Sequence, residues 1–403
     1  MRSWRWLPSS SERELNVPFQ DTTLLVTVMI FGAVTALGIV LMIVMHKVGR
    51  HTGDRRRSHA DDAVRPILLQ VVADDRIAPA ALEARGSRGR AVERVALAFL
   101  AQTRGEAHEL LAQLLARRGF TARMIRQASR SGWHRRGRAA ELLGVIGSPD
   151  AQRALERLVL NDRRPEVRVV ASRALGLVGT ATAASTLLRS LDQPMPVSTG
   201  IIVAALLEVG PESIPALRAA LHSRSTNSVT QRVVAAEALG LLEATQAWPD
   251  LVALISDTNL EVRVSAVRAL GRLGVPDAAD AVSRCLQPDE PLAVRAVAAR
   301  SLGRIGDPRS VPFLASSVEE RDYWVAHRAA EALAGLGTAG SDALSRLAVS
   351  PGPASMHARE ALAYATLLPV GYLSWIPVVT WTPLPSPPKL DSKHPVSPGK
   401  PTE

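Results

Sequence analysis

The chain has 403 residues, 47% of them hydrophobic but only 4% aromatic, and a formal net charge of +10. That length is too great for one compact core and ordinary for a repeat array, and the few aromatics favour packing by small residues. The single cysteine, Cys285, excludes an intrachain disulfide framework and suits a reducing compartment.

Residues 1–23 precede a run of 22 uncharged residues, Leu24 to Met45. As a helix the run spans roughly 33 Å, enough for a hydrocarbon core of about 30 Å. A cleaved signal peptide has a shorter apolar core and a small-residue cleavage site. This run instead ends in Met45-His46-Lys47, so a transmembrane helix is expected over 24–45. Arg5 and Arg13 are the basic residues of positions 4–23, whereas Lys47, Arg50, Arg55, Arg56, Arg57 and Arg65 fall within 46–65. The positive-inside bias places the N-terminus outside and the rest of the chain in the cytoplasm, as a single-pass protein of the inner membrane.

Residues 46–64 read as a basic linker. Residues 65–130 have helical but irregular apolar spacing, as in Ala91–Gln102 and Glu106–Leu115. Such a segment is expected to cap the open first face of a repeat array.

From 131 to 368 one pattern returns about seven times, with a terminal half. Its leucine falls at Leu143, Leu175, Leu206, Leu239, Leu270, Leu302 and Leu333, in steps of 31 to 33 residues. Four residues before it stands alanine, except for Ile202; four after it stands glycine (Gly147, Gly179, Gly210, Gly274, Gly306, Gly337), except for Glu243. Each copy predicts a first helix, a polar turn, a second helix carrying the signature, and a left-handed glycine cap. Seven positions before the leucine stands Arg136, Arg168, Arg232, Arg263 or Arg295, with Thr199 and Ala326 in the other two copies. Asp162, Asp257 and Asp289 each precede such an arginine by six. A recurrence tied to the fold predicts a structural ladder between adjacent repeats, in preference to ligand binding.

The run Pro165-Glu166-Val167-Arg168…Ala171…Ala174-Leu175-Gly176…Gly179 resembles the HEAT repeat, in its bacterial form also called the phycobilisome-lyase-type repeat. The resemblance implies an all-α fold, an α-solenoid of HEAT-like helix pairs, which in this chain is expected to be preceded by the one transmembrane helix read above. A narrower likeness rests on the anchor, the irregular segment and the aromatic turn Asp322-Tyr323-Trp324-Val325. It is similar to bacterial HEAT proteins that accompany family 2 glycosyltransferases of exopolysaccharide synthesis, and implies an accessory scaffold.

Two surface features stand apart from the repeat. Arg117, Arg118, Arg123, Arg126, Arg130, Arg135, Arg136 and Arg138 fall in a stretch with no acid, around Trp133 and His134. This is a candidate patch for anionic headgroups, phosphates or an acidic partner, or else a solvated arginine face. Residues 369–403 begin as an apolar aromatic strip and end as a Pro-rich tail expected to be disordered. Tyr372, Trp375 and Trp381 in the strip are candidate membrane or partner contacts, or a cap folded onto the last repeat.

Catalysis finds no motif. The nine histidines are dispersed, His108-Glu109 is the only His-Glu pair, and HEAT-repeat hydroxylases that bind two irons use several. No catalytic residue, metal or cofactor is expected. The function expected is a non-catalytic, membrane-anchored scaffold that binds a protein, with a membrane enzyme as the expected partner and nucleic acid disfavoured. The alternatives are a phycobilisome-lyase-like chromophore handler and a basic lipid or nucleic-acid adaptor.

Overall fold

The computed structural model describes residues 58–223 and 228–367, and among them there are helices and turns but no strand. The expected transmembrane helix 24–45 and the strip with Tyr372, Trp375 and Trp381 lie outside the described residues. The chain divides into two compact units, residues 1–178 and 179–403.

The first unit contains α1 (58–73), α2 (Pro79–Glu83), α3 (Gly86–Leu100), α4 (Glu106–Arg117), α5 (Phe120–Arg130), α6 (Trp133–Ile146), α7 (Pro149–Asn161) and α8 (Pro165–Val178). Helix α1 begins inside the span read as a linker, so 46–64 is corrected at its C-terminal end. Helices α5 and α6 pack as a pair, as do α7 and α8. The expected boundary at 131 therefore cuts a helix pair, and the repeats begin at Phe120. Helix α3 of the irregular segment lies against α6.

The second unit contains α9 (Ala181–Arg189), α10 (Thr199–Val209), α11 (Ile214–Leu221), α12 (Ser228–Leu241), α13 (Trp248–Ala253), α14 (Leu260–Leu273), α15 (Ala279–Arg284), α16 (Leu292–Ile305), α17 (Val311–Val318), α18 (Tyr323–Ala334), α19 (Gly337–Ala348) and α20 (Ala354–Leu367). The even-numbered helices pack in sequence from α10 to α20 as one layer. The odd-numbered helices form the other layer, and α19 with α20 makes a complete last pair. Thr199–Leu221 is long and apolar enough to cross a membrane by length and composition. Here it is two helices, α10 and α11, separated at Gly210 (φ 77°) and packed on α12.

The signature explains both layers. All seven leucines are fully buried, as are the alanines four residues earlier and Ile202. Burying a leucine side chain contributes about 1.5–3 kcal/mol, so the leucines are the regular source of cohesion. In four copies the glycine after the leucine sets how closely second helices approach. A Cβ on Gly144 would lie 2.8 Å from the Cα of Ala174, one on Gly240 2.9 Å from the Cα of Ala269, and one on Gly303 2.8 Å from the Cα of Ala332. Gly271 is tighter still, with Ser301 Cα at 2.7 Å. Backbones in such contact admit only glycine on one side and a small residue on the other.

The glycine four residues after the leucine ends the helix in every copy that carries it except the last, where α18 ends at Ala334 and Gly337 begins α19. Gly147, Gly274 and Gly306 have φ of 63°, 62° and 77°, and each donates its N–H to the carbonyl of Leu143, Leu270 or Leu302. Gly179 and Gly337 also have positive φ. Glu243, the exception in the pattern, has φ 52°. The fold thus keeps the left-handed turn where glycine is missing.

Candidate protein-docking site

Four arginines of the repeat pair with the repeat that follows. Arg136 holds Asp162 through Nε and Nη2 at 2.7 and 2.8 Å. Arg232 Nε lies 3.1 Å from Asp257, Arg263 lies 3.9 Å from Glu290, and Arg295 pairs with Glu320. The expected ladder is present, with one correction: Asp289 is not its acid, and the neighbouring Glu290 takes that place. Arg168 donates to the backbone oxygen of Asp162 at 2.9 Å, so one aspartate binds the turn to both its own repeat and the one before. Burial pushes the Asp162 carboxyl up. Hydrogen bonds from Arg136 and the Arg164 amide, with the charges of Arg136 and Arg168, outweigh it and hold the carboxyl below the usual range.

The arginine patch predicted at 117–138 divides in two. Arg118 is a structural residue whose guanidinium donates to the carbonyls of Ala81, Leu82, Ala84 and Gly89 at 2.7 to 3.2 Å. It closes the C-terminus of α2, where backbone carbonyls lack helical partners. Arg123 pairs with Glu93 at 2.6 Å, Arg136 belongs to the ladder, and Arg138 lies 3.4 Å from Glu141. These four members of the candidate patch have partners within the protein. Arg117, Arg126, Arg130 and Arg135 are exposed and have no carboxylate partner among the described residues. Trp133 stacks on His134 with centroids 3.4 Å apart.

Positive charge is crowded elsewhere, on α14 and α16. Arg268 and Arg272 flank Leu270 at two residues before and two after; Arg300 and Arg304 flank Leu302 in the same way. No other copy carries arginine at both positions. Because α14 packs directly on α16, the four guanidinium groups belong to adjacent turns of neighbouring helices. Burial, then Arg268 and Arg300, lower the Arg272 value, with Glu237 opposing. Burial followed by Arg328 lowers Arg300, and burial followed by Arg300, Arg272 and Arg268 lowers Arg304. The Nη1 of Arg272 is buried and has no hydrogen-bond partner among the described residues. Glu331, which also acts on Arg300, is already held by Arg328 at 2.6 Å. The cluster is therefore short of negative charge and of acceptors. A carboxylate or phosphate supplied from outside would correct both.

The remaining polar groups have plainer roles. His108 Nε2 lies 3.2 Å from the Ile146 carbonyl oxygen and Nδ1 3.3 Å from that of Thr103, so either tautomer donates to one of the two. His222 lies 3.4 Å from Asp250. Cys285 is buried, and burial followed by Glu290 raises its thiol to about 11, which makes it a poor nucleophile at neutral pH. Tyr323 and Trp324 in the aromatic turn are about half exposed, and Asp322 caps their helix through the Trp324 and Val325 amides. The histidines are less dispersed than the sequence indicates: His327 and His357 meet beside Glu360.

No curated protein matches the chain. Its fold is similar to that of the CpcE–CpcF complex of phycocyanin lyase from Nostoc sp. PCC7120, at 21% identity and TM-score 0.29, over 61% of this chain and 94% of that one. Human deoxyhypusine hydroxylase is similar at 18% identity and TM-score 0.27, over 77% of this chain and 98% of that one. Importin beta is similar at 15% identity and TM-score 0.38, over 78% of this chain and 54% of that one. The family model described as HEAT repeats matches residues 120–206, 214–293 and 285–363. Matched in this way over more than half of its length, the chain belongs to the HEAT-repeat family.

Proposed function

We propose that this chain is a non-catalytic scaffold that binds another protein through its repeats, anchored in the cytoplasmic membrane by residues 24–45. The partner is a membrane enzyme, and the narrower likeness in the sequence favours a glycosyltransferase of exopolysaccharide synthesis. The observation that carries the docking surface is the cluster of Arg268, Arg272, Arg300 and Arg304, with the unpartnered Nη1 of Arg272 inside it. A repeat array gains affinity by summing contacts from successive helices, and here two successive helices offer the same cation pair. The natural occupant is an acidic segment of the partner, whose carboxylates form charge-assisted hydrogen bonds to the guanidinium groups. The anchor raises the local concentration of the surface around membrane proteins.

The test is co-purification from native membranes with all four arginines replaced by glutamine. Loss of a stoichiometric membrane enzyme, while Gln at Arg117, Arg126, Arg130 and Arg135 retains it, supports the reading. Retention in the first variant overturns the docking surface. Co-purification of a bilin or nucleic acid in place of a protein overturns the scaffold.

A further inference from the structure

Helices α18 and α20, the last two second helices, bring together side chains 30 residues apart in sequence. His327 and Glu331 lie one turn apart on α18, and His357 and Glu360 one turn apart on α20. One donor atom from each of His327, His357 and Glu360 lies within 4.8 Å of the other two. His357 is only 5% exposed, and its Nδ1 has no hydrogen-bond partner among the described residues. Such a nitrogen is unfavourable in a protein interior unless something occupies its lone pair or takes its proton.

The surroundings orient the other imidazole. His327 Nε2 lies 3.4 Å from Glu331 and Nδ1 3.7 Å from Glu360. Arg328 fixes Glu331 by donating to its second oxygen at 2.6 Å. With its proton on Nε2, His327 turns that nitrogen toward Glu331 at ion-pair distance and keeps the Nδ1 lone pair for the cluster. A carboxylate behind an imidazole in this way fixes the tautomer and ring direction of a metal ligand. Tyr323 lies against both rings, with centroids 5.5 Å from His327 and 5.1 Å from His357.

We propose that His327, His357 and Glu360 bind one divalent transition-metal ion of the zinc class, with Glu331 orienting His327 from behind. Two imidazoles and one carboxylate suit zinc and its neighbours, whereas magnesium and calcium take all-oxygen sets. Bonds of about 2.0–2.2 Å bring the donors to roughly 3.4 Å from one another. The closure needed falls on Glu360 and His327, the two side chains not fully buried. Three protein donors leave a fourth position for water. Glu360 and Glu331 together balance the charge of the ion. Bound there, the ion ties α18 to α20 and so joins the last two helix pairs.

The test uses the full chain in detergent, stripped with a chelator and loaded with cobalt(II), which reports tetrahedral coordination through its visible absorption bands. One cobalt per chain is expected, displaced by zinc. His327→Gln and Glu360→Gln are expected to weaken binding by at least about tenfold, and Glu331→Gln by about 10- to 100-fold. His46, His51 and His59 are grouped within the basic stretch 46–64, and a triple variant with Gln at all three is expected to bind as the unaltered chain does. Glu360→Gln is isosteric at a half-exposed position, and circular dichroism of the metal-free variant checks its folding. Absence of tetrahedral bands, or bands unchanged in Glu360→Gln, would overturn the proposal. Full zinc affinity in Glu331→Gln would remove the orienting role.

Discussion

Arg136 and Asp162, 26 residues apart, face each other in a two-point grip, with Nε on Oδ2 at 2.7 Å and Nη2 on Oδ1 at 2.8 Å. The arginine comes from one helix pair and the aspartate from the turn of the next. Both are largely buried, at 19% and 5% side-chain exposure, so the pair escapes the solvent screening that makes most surface ion pairs weak. The aspartate also takes the Arg164 amide at 2.9 Å, so its loss opens a turn as well as a rung.

The pH dependence of this rung has a definite sign. The folded Asp162 carboxyl lies below its ordinary value of 3.8. Its contribution is therefore fully present above 3.8 and is lost as pH falls through the lower folded value. Asp162→Asn is expected to cost about 1–3 kcal/mol at neutral pH, as for a hydrogen bond to a charged group. Urea unfolding at a series of pH values is expected to show the two proteins converging in acid. A gap that stays constant down the acid limb would contradict this account.

Two glycines on one helix should respond oppositely to the same change. A Cβ on Gly137 meets nothing within 4 Å, whereas one on Gly144 meets Ala174 at 2.8 Å. Gly137→Ala is expected to stabilise by about 0.5–1 kcal/mol through helix propensity. Gly144→Ala is expected to destabilise by about 1–3 kcal/mol through overpacking. Equilibrium unfolding of both variants measures the difference, and equal effects would mean that second helices do not approach as described.

Glu243 holds a left-handed conformation (φ 52°) at an exposed position. An L-residue with a Cβ pays roughly 1–2 kcal/mol there. Glu243→Gly is therefore expected to raise stability by about 1 kcal/mol, against the usual trend for introducing glycine. A lower unfolding midpoint would show that the Glu243 side chain contributes more than its strain removes.

Much of this architecture is legible in the sequence because one residue does one job at a fixed spacing. The leucines, the caps and even the defect at Glu243 follow from a local pattern. The partner of each acid does not. Asp162 stands six residues before Arg168 but is gripped by Arg136, since the choice depends on how adjacent pairs stack. Glu290 displaces Asp289 for the same reason. Arg118 sits in the densest arginine run, yet it serves four carbonyls of an earlier segment. The cluster at Arg268, Arg272, Arg300 and Arg304 is unremarkable along the chain because other residues separate its members. Its signal is the repeated position two residues either side of Leu270 and Leu302. His327 and His357 meet only because α18 packs on α20, a contact with no local signature.

The measurement that tests the central claim most directly is affinity purification of the full chain from its native membrane in mild detergent. A copy lacking residues 1–45 is purified in parallel, and both samples are read by mass spectrometry. The account predicts a stoichiometric membrane enzyme with the full chain and its loss or marked depletion without the anchor. Recovery of no reproducible protein partner, or of the same partner in equal amount from the shortened chain, would contradict it.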